Sequence, residues 1–457
     1  GPRGRRWPRR TAPAGRTPAG RTGRPCPPPT PATSNQTTYS HPCPCPDPPA
    51  ARPLPPAPAH PHSISKRDRL DTPRSPNAPR NVGFREQAAP VRRILGIALA
   101  VLLVGGVVAV IFLGGTGTSE GTATKTVRGV IGSEKSEFFR DPDVVRALAA
   151  KGYTVKTETS GSWAMDQLAL KEYDFAFPSS SEPADEIAAK AGVKGAQSAK
   201  PFFSPLVVIA RANAARVLAD NGLARMNGKN TGTLLMEPFL KAAGEDRTWQ
   251  QLPGSSAHTE LTGTVFIKTS DPTTSNSGAL FIGATSNVAN NKTVVSDDAG
   301  IERTAPLLRK LISVQGSLEP STDGPFRSFI SGSGEPLVLA YEAQVAALLM
   351  QKQATGEAAS MVVLYPDTTV NSPHTFVPLG EKAKDLGTLL ATDKRLRELA
   401  VRHGFRPQEG TAEFSAATTQ YAGYLNPELT GIRQVSAPTV KVLTALAGRA
   451  KGQGGTP

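Results

Sequence analysis

The chain has 457 residues, enough for two or three domains, and a formal net charge of +14. The charge is concentrated at one end. Residues 1–93 carry 17 Lys and Arg against 4 Asp and Glu, a net +13, which leaves +1 for the remainder. A remainder that is nearly neutral argues against a nucleic-acid-binding domain. All three cysteines lie within the first 45 residues, which excludes disulfides and thiol chemistry from the rest of the chain.

Residues 1–90 have the composition of a disordered tail. Of the 42 prolines, 23 lie in residues 1–93, and few apolar side chains accompany them. Such a segment cannot bury enough apolar surface to offset the entropy of ordering. A basic tail can bind anionic lipid or nucleic acid, or it can be inert and solvated. The composition leaves these alternatives open.

A single apolar run follows the tail. Ile94–Leu113 is 20 uncharged, mostly apolar residues, and a helix of that length spans about 30 Å, the thickness of the hydrocarbon core. Arg92 and Arg93 precede it, so the positive-inside rule puts the tail in the cytoplasm and the bulk of the chain outside. We therefore expect a single-pass cell-membrane protein that contacts the lipid bilayer through residues 94–113, with a flexible linker over 114–124. A cleaved secretion signal is the alternative.

Residues 125–445 alternate between predicted strands and helices. "TVRGVIGS" predicts a strand, and "DPDVVRALAAKG" a helix with Asp141 as N-cap, Pro142 in the first turn and Gly152 after its end. "YTVKTETS", "GSWAMDQLALKE" and "YDFAFPSSS" predict a strand, a helix and a strand. This order indicates an α/β fold with parallel strands and crossover helices. We expect residues 446–457 to be a flexible tail.

Four predicted strands end in loops rich in hydroxyl groups, and the last of these strands is "GTVFIK". One hydroxyl is enough to cap a helix, whereas each loop offers several. Ligands of α/β sheets bind at the carboxyl ends of strands, beside helix N-termini. The loops therefore predict a polar cleft that holds a small polar or anionic ligand, although helix capping alone would explain each loop taken singly. The candidate residues are Ser133, Glu134, Ser160, Gly161, Ser162, Ser179, Ser180, Ser270, Asp271, Thr274, Ser275, Asn276, Ser277 and Gly278.

The order of several motifs over 125–410 resembles type 2 periplasmic binding proteins, the solute-binding family associated with ABC transporters. These motifs are "YDFAFPSSS", "PFFSPLVVIARANAARVL", "FIKTSDPTTSNSGALF", "GEPLVLAYEAQVAALL", "MVVLYPDTTVNSPHTFVPLG" and "LRELAVRHGFRP". The resemblance implies two lobes, hinge crossovers near Leu206–Ala210 and Val362–Pro366, and a ligand-facing Tyr341–Glu342. The resemblance says little about a transport role, so the expected partner is either a membrane permease or another envelope protein. A membrane-spanning tether departs from the family, whose members are usually lipoproteins or secreted.

The sequence predicts no enzyme, cofactor or metal site. Only His258, His374 and His403 lie in the predicted folded part, and none has a partner at metal-ligand spacing. "GSGEP" does not fit a nucleophile elbow. The predicted function is a membrane-anchored, extracytoplasmic solute-binding protein. The alternatives are an interaction or structural module that has lost its ligand and joins an envelope partner, and an enzyme on the same scaffold.

Overall fold

The computed structural model describes residues 124–193 and 198–453. The predicted tail and apolar segment lie outside these residues, as does nearly all of the linker. None of the helices in the described part is both long and apolar enough to span a bilayer.

The described residues form two α/β lobes. The strands are β1 Lys125–Ile131, β2 Tyr153–Thr159, β3 Phe175–Phe177, β4 Ala199–Phe203, β5 Leu206–Ala210, β6 Ala224–Met226, β7 Thr231–Leu234, β8 Leu337–Tyr341, β9 Val362–Pro366, β10 Thr368–Val370, β11 Pro373–Pro378, β12 Arg406–Pro407 and β13 Arg433–Val435. The α-helices are α1 Ser136–Arg140, α2 Pro142–Ala150, α3 Ser181–Ala191, α4 Ala212–Asp220, α5 Met236–Gly244, α6 Asn276–Ala289, α7 Asp298–Ser313, α8 Asp323–Ile330, α9 Glu342–Met350, α10 Glu357–Ser360, α11 Leu386–Thr392, α12 Lys394–Arg402, α13 Thr411–Thr418 and α14 Val440–Ala450.

Lobe one is built on a six-stranded sheet in the order β12-β4-β11-β3-β1-β2. Strand β1 pairs in parallel with both β2 and β3, as the alternating order predicted, whereas β4, β11 and β12 pair antiparallel. Helix α2 begins as expected: the Asp141 side chain accepts a hydrogen bond from the backbone N–H of Asp143, Pro142 opens the first turn, and Gly152 follows the end with φ +81°. Aromatic and aliphatic side chains around Phe138, Phe202 and Phe376 fill the core on one face of the sheet.

Lobe two is built on a five-stranded sheet in the order β6-β7-β9-β5-β8. Strand β5 is buried along its whole length and pairs antiparallel with both β8 and β9. Helix α6 packs beside this sheet with nearly all of its residues buried. A two-stranded ladder of β10 and β13 adds the C-terminal part of the chain, and α14 packs against α7 and α6.

The chain crosses from lobe one to lobe two at Ser204–Pro205, returns at 371–372, between β10 and β11, and crosses again between β12 and β13. The resemblance placed the two hinges near Leu206–Ala210 and near Val362–Pro366, and the first two crossings adjoin or closely follow these segments rather than lying within them. Both segments are β-strands in the middle of lobe two, where ladder hydrogen bonds on neighbouring strands hold the backbone. The first two crossings lie just outside these ladders.

Three local predictions are wrong. "GTVFIK" forms no strand, because it runs past the edge of the sheet and makes isolated bridges at Thr264 and Lys268 only. Residues 161–172, predicted as one helix, form two short 3-10 segments, Ser162–Gln167 and Leu170–Glu172. The predicted tail from residue 446 begins inside α14, where Leu446 and Ala450 are buried against lobe two.

A buried ion pair lies beside the first crossing. The Arg406 guanidinium, which has no exposed surface, donates to both carboxylate oxygens of Glu342 at 2.5 and 2.8 Å. The Tyr365 hydroxyl donates to the same carboxylate at 2.5 Å. The backbone N–H of Glu342 donates to the carbonyl of Pro205 at 2.9 Å. The pair therefore links β12 of lobe one to the start of α9 and to β9 of lobe two.

We predict that Arg406→Met lowers the free energy of unfolding by about 3–5 kcal/mol, because it leaves the Glu342 carboxylate buried without its cation. Urea unfolding followed by circular dichroism measures the loss. Arg397→Met is the matched control, since Arg397 pairs with the half-exposed Glu413 at 2.9 Å and such pairs contribute about 0–1 kcal/mol. Equal losses for the two variants would contradict the prediction.

Candidate functional site

A small polar cavity lies between the lobes. Its volume is about 10 Å³, room for about one water molecule. It is lined by Gly132, Ser133, Glu134, Ser160, Gly161, Ser162, Ser179, Ser275, Asn276, Ser321, Thr322 and Tyr341. The sequence predicted nine of these residues, and it missed Gly132, Ser321 and Thr322. Lobe one contributes the loops that follow β1, β2 and β3, which are the strand ends that the sequence singled out.

A buried amine lies beside this cavity. The ammonium of Lys135, with no exposed surface, donates to the Glu134 carboxylate and to the Ser179 hydroxyl at 3.1 Å. Its Nζ also lies 3.2 Å from Nδ1 of His374. Burial lowers the pKa of Lys135, and the charge of Glu134 opposes that shift. In "GSEKSEFF", Ser133 and Glu134 were predicted site residues, and the lysine between the same serines was not.

His374 is neutral in this arrangement. Burial holds the pKa of His374 well below its usual value, and the neighbouring charge of Lys135 lowers it further. A neutral imidazole can accept a hydrogen bond from Lys135 through Nδ1. Its Nε2 is buried with no hydrogen-bond partner among the described residues. From its sequence context this histidine was weighed only as a metal ligand.

The two lobes touch through a few polar contacts at the cavity. The Ser180 hydroxyl of lobe one donates to Oδ1 of Asn276 in lobe two at 2.7 Å. The Asn276 amide then donates to the Tyr341 hydroxyl at 3.1 Å. The backbone N–H of Trp163 in lobe one donates to the carbonyl of Thr274 in lobe two at 3.0 Å. Asn276 therefore stands at the centre of the closed arrangement.

Gly161 is required where the lobes meet. A Cβ at this position would lie 2.4 Å from the carbonyl oxygen of Thr274. Only glycine lets the two backbones approach this closely. The second serine loop therefore meets lobe two at this point, and its contact with a ligand stays a prediction.

The loop 269–278 uses most of its polar groups internally. The hydroxyls of Ser270, Ser275 and Ser277 form a buried cluster with oxygen separations of 2.7 to 3.1 Å. The Asp271 carboxylate accepts from the backbone N–H of Thr273 at 2.9 Å and from Lys451 of the chain end at 2.6 Å. Apart from the bond to Lys451, these contacts stay within the loop, and the Ser275 side chain does not cap α6.

Several candidate residues therefore do not line the cavity. Ser270 and Ser277 belong to the internal cluster, and Asp271 pairs with Lys451. A Cβ on Gly278 would lie 2.5 Å from the carbonyl oxygen of Ser270, so this glycine serves the packing of its own loop rather than the approach of a ligand. The Thr274 hydroxyl is buried without a partner in the described residues.

Tyr341 and Glu342 are adjacent in sequence and lie in different surroundings. Tyr341 lines the cavity, and burial raises its pKa, with the charge of Glu134 adding to the shift. The Glu342 carboxylate instead bonds Arg406 and Tyr365, so the expectation that Glu342 faces a ligand is wrong. The reason is that α9 begins at Glu342 and turns its side chain toward the crossing.

Two larger grooves open on either side of the small cavity. One, of about 290 Å³, lies between α14 and the first 3-10 segment, next to Trp163. The other, of about 350 Å³, includes Glu134, Glu137, Arg140 and Arg327 among its lining residues. No group of three or more His, Cys, Asp or Glu side chains in the described part of the chain is arranged to hold a metal ion.

Solved structures of several binding proteins are similar to this chain. The sulfate-binding protein SubI from Mycobacterium tuberculosis H37Rv is 16% identical over 65% of this chain and 91% of its own, with a TM-score of 0.43. The periplasmic binding protein AfuA from Actinobacillus pleuropneumoniae, with exogenous fructose-6-phosphate bound, is 14% identical over 72% and 97%, with a TM-score of 0.46. Apo ferric ion-binding protein A from Pasteurella haemolytica is 10% identical over 71% and 95%, with a TM-score of 0.46. No family model and no curated protein matches the chain.

The described residues form two α/β lobes joined by chain crossings, with a polar cavity where the strand ends meet. The three similar structures are named as binding proteins rather than enzymes. At these identities they assign neither a ligand nor a biological role to this chain.

We predict that Asn276 holds the lobes together and that Ser277 stabilises lobe two alone. Asn276→Ala removes the bond to Ser180, so the Trp163 amide, which bonds across the lobes, should exchange its hydrogen several-fold to about tenfold faster, as expected for roughly 0.5–1.5 kcal/mol. Hydrogen–deuterium exchange of the peptide containing Trp163 measures this. Ser277→Ala is the matched control: it should lower the free energy of unfolding by a similar amount and leave that exchange rate unchanged. Faster exchange in both variants would contradict the distinction.

Proposed function

We propose that this chain is a solute-binding protein whose two lobes close around a small polar or anionic ligand. The observation that carries the proposal is the buried ammonium of Lys135, beside the hydroxyls of Ser162 and Ser179 at a cavity between the lobes. A buried cation costs several kcal/mol to desolvate unless an anion or several acceptors lie against it. Such a group at an interlobe cavity suits a negatively charged or strongly polar solute.

Ligand access requires the lobes to separate. The cavity of about 10 Å³ admits about one water molecule, and an oxyanion or a sugar is larger. The polar contacts across it, from Ser180 to Asn276 and from Trp163 to Thr274, are few. At about 0.5–1.5 kcal/mol each, they are weak enough for opening to be frequent. The ligand would then favour closure through contacts that it makes only in the closed state.

A second function is favoured by one observation. The cavity is nearly filled by side chains of the protein, with Glu134 already bonded to Lys135 and Ser179. An interaction or structural module that has lost its ligand would have such a filled cleft. In that case the closed arrangement would be permanent and would present one fixed surface to an envelope partner.

A ligand screen separates the two functions. We expect sulfate, inorganic phosphate or molybdate, tested in turn with the full-length chain, to raise the melting temperature; a ligand at 100 times its Kd adds about 2.7 kcal/mol. The double variant Lys135→Met, Glu134→Gln, which leaves no buried charge unpaired, should lose this shift. The control Lys451→Met removes an exposed ammonium instead and should keep it.

A shift with neutral sugars or amino acids only would make the ligand polar rather than anionic. Unchanged melting with every anion, sugar and amino acid tested would contradict solute binding and favour the interaction module.

We further propose that residues 94–113 anchor the chain in the cell membrane, with the N-terminus in the cytoplasm and the two-lobed part outside. The support is the apolar run behind Arg92 and Arg93. A membrane permease or another envelope protein would be the partner.

We predict that protease added to intact cells digests the two-lobed part and leaves residues 1–90 protected. Permeabilised cells are the control, in which both parts should be cut. Digestion of the tail alone in intact cells would reverse the orientation, and release of the whole protein into the medium would favour the cleaved signal.

A further inference from the structure

We propose that the Glu134 carboxylate occupies the anion position of this cavity and that an incoming anion must displace it. This inference rests on the proposed function, since it concerns the same cavity. Oε1 of Glu134 accepts from the Ser179 hydroxyl at 2.5 Å and from the ammonium of Lys135. These are the donors that a bound anion would use. The carboxylate is therefore an internal competitor attached to the chain.

The backbone is adapted to this folded-back carboxylate. A Cβ on Gly132 would lie 2.5 and 2.6 Å from the two oxygens of Glu134 and 2.6 Å from the hydroxyl of Ser179. Any residue other than glycine would push the carboxylate away from its donors. Gly132 has ordinary extended dihedral angles, with φ −64° and ψ 144°, so the requirement comes from this close approach and not from the backbone conformation.

The Glu134 carboxylate has a second position available in the groove next to the cavity. Glu134 lines both the small cavity and the groove of about 350 Å³, so rotation about its side-chain bonds moves the carboxylate from one to the other. Arg140 lines the same groove, and it has no ion-pair partner within the described ranges. A carboxylate turned outward would share this groove with the Arg140 guanidinium. When the Glu134 carboxylate is displaced, it leaves the Lys135 ammonium for the groove that Arg140 lines. Lys135 is then free to bind the incoming anion.

The test compares anion binding by the full-length chain and by Glu134→Gln, with sodium sulfate, inorganic phosphate and sodium acetate titrated calorimetrically at fixed ionic strength. Removing the internal competitor should tighten binding of at least one anion by about tenfold or more, the scale of one charge-assisted hydrogen bond. Without added anion, the same variant should melt at a lower temperature, because Lys135 loses its counter-charge.

Glu137→Gln is the matched control. Glu137 lines the groove but not the small cavity, and its loss changes the net charge equally. Its affinities should stay within about twofold, since an exposed charge is screened.

Gly132→Ala provides a second route to the same result. Its Cβ expels the carboxylate while the charge of Glu134 is retained, and the Ser179 hydroxyl, 2.6 Å from that Cβ, must turn away as well. The Lys135 ammonium is then left to the anion without its counter-charge, so anion binding should still tighten. This variant keeps the test valid if Glu134→Gln does not fold.

The outcomes separate the inference from the function on which it rests. Anion affinities that are equal or weaker in both variants contradict the competing carboxylate and leave solute binding intact. If the chain binds a neutral or zwitterionic solute and no variant binds an anion, the competing carboxylate is likewise contradicted and solute binding stands. A chain that binds no solute in any form contradicts both proposals. Equal tightening in Glu137→Gln would show a general effect of charge and would also overturn the inference.

Discussion

The arrangement of the two lobes depends on one buried guanidinium. Arg406 bonds the Glu342 carboxylate, the carbonyls of Asn426 and Pro427, and lies over the Phe414 ring at 4.2 Å. These partners come from distant parts of the sequence, and the guanidinium has donors for all of them. A buried charge needs its partners in place, because a missing one costs several kcal/mol. The positions of β12, α9 and the C-terminal segment are thereby tied to each other.

The cavity side of the same interface is held in a different way. The contacts there are neutral hydrogen bonds such as Ser180 to Asn276, each of which contributes about 0.5–1.5 kcal/mol. The ion pair lies next to the crossing at Pro205, where the backbone of Glu342 is also bonded. We infer that opening would rotate the lobes about this strongly bonded edge while the weaker contacts at the cavity separate. A movement of this kind changes the volume at Ser179 and Ser275 and leaves Arg406 buried.

The sequence predicted the parts of this fold that local patterns determine. Alternating strands and helices located β1, α2, β2 and β3, and the cap at Asp141 follows from its own neighbours. The three hydroxyl loops of lobe one were placed at the correct edge, because the parallel strands β1, β2 and β3 bring their carboxyl ends together. The roles of Glu342 and Ser277 were not predictable in this way. Glu342 is decided by Arg406, 64 residues away, and local sequence carries no signal for that pairing.

The central cation was missed for a related reason. A lysine in "SEKSEF" has the composition of a solvated helix start, and lysine is seldom buried unless it is paired. Burial of Lys135 depends on Ser179 and on His374, which is 239 residues away, so it becomes visible only when β1, β3 and β11 are side by side. The hydroxyl surplus that suggested a ligand is partly used within the loop 269–278. The polar groups that remain free to bind a ligand belong chiefly to lobe one.

This distribution of polar groups explains how one set of residues could support either proposed function. The cavity is balanced in charge, with Lys135 against Glu134 and with His374 held neutral by burial. A balanced pair can remain closed without a ligand, as a structural module would require. The same residues bind an anion if moving the carboxylate to the groove costs less free energy than the contacts with the anion contribute. That cost is set by the side-chain torsions of one residue and by the space that Gly132 leaves open, and not by the fold of either lobe. The position of a single carboxylate can thus decide which of two functions the same fold performs.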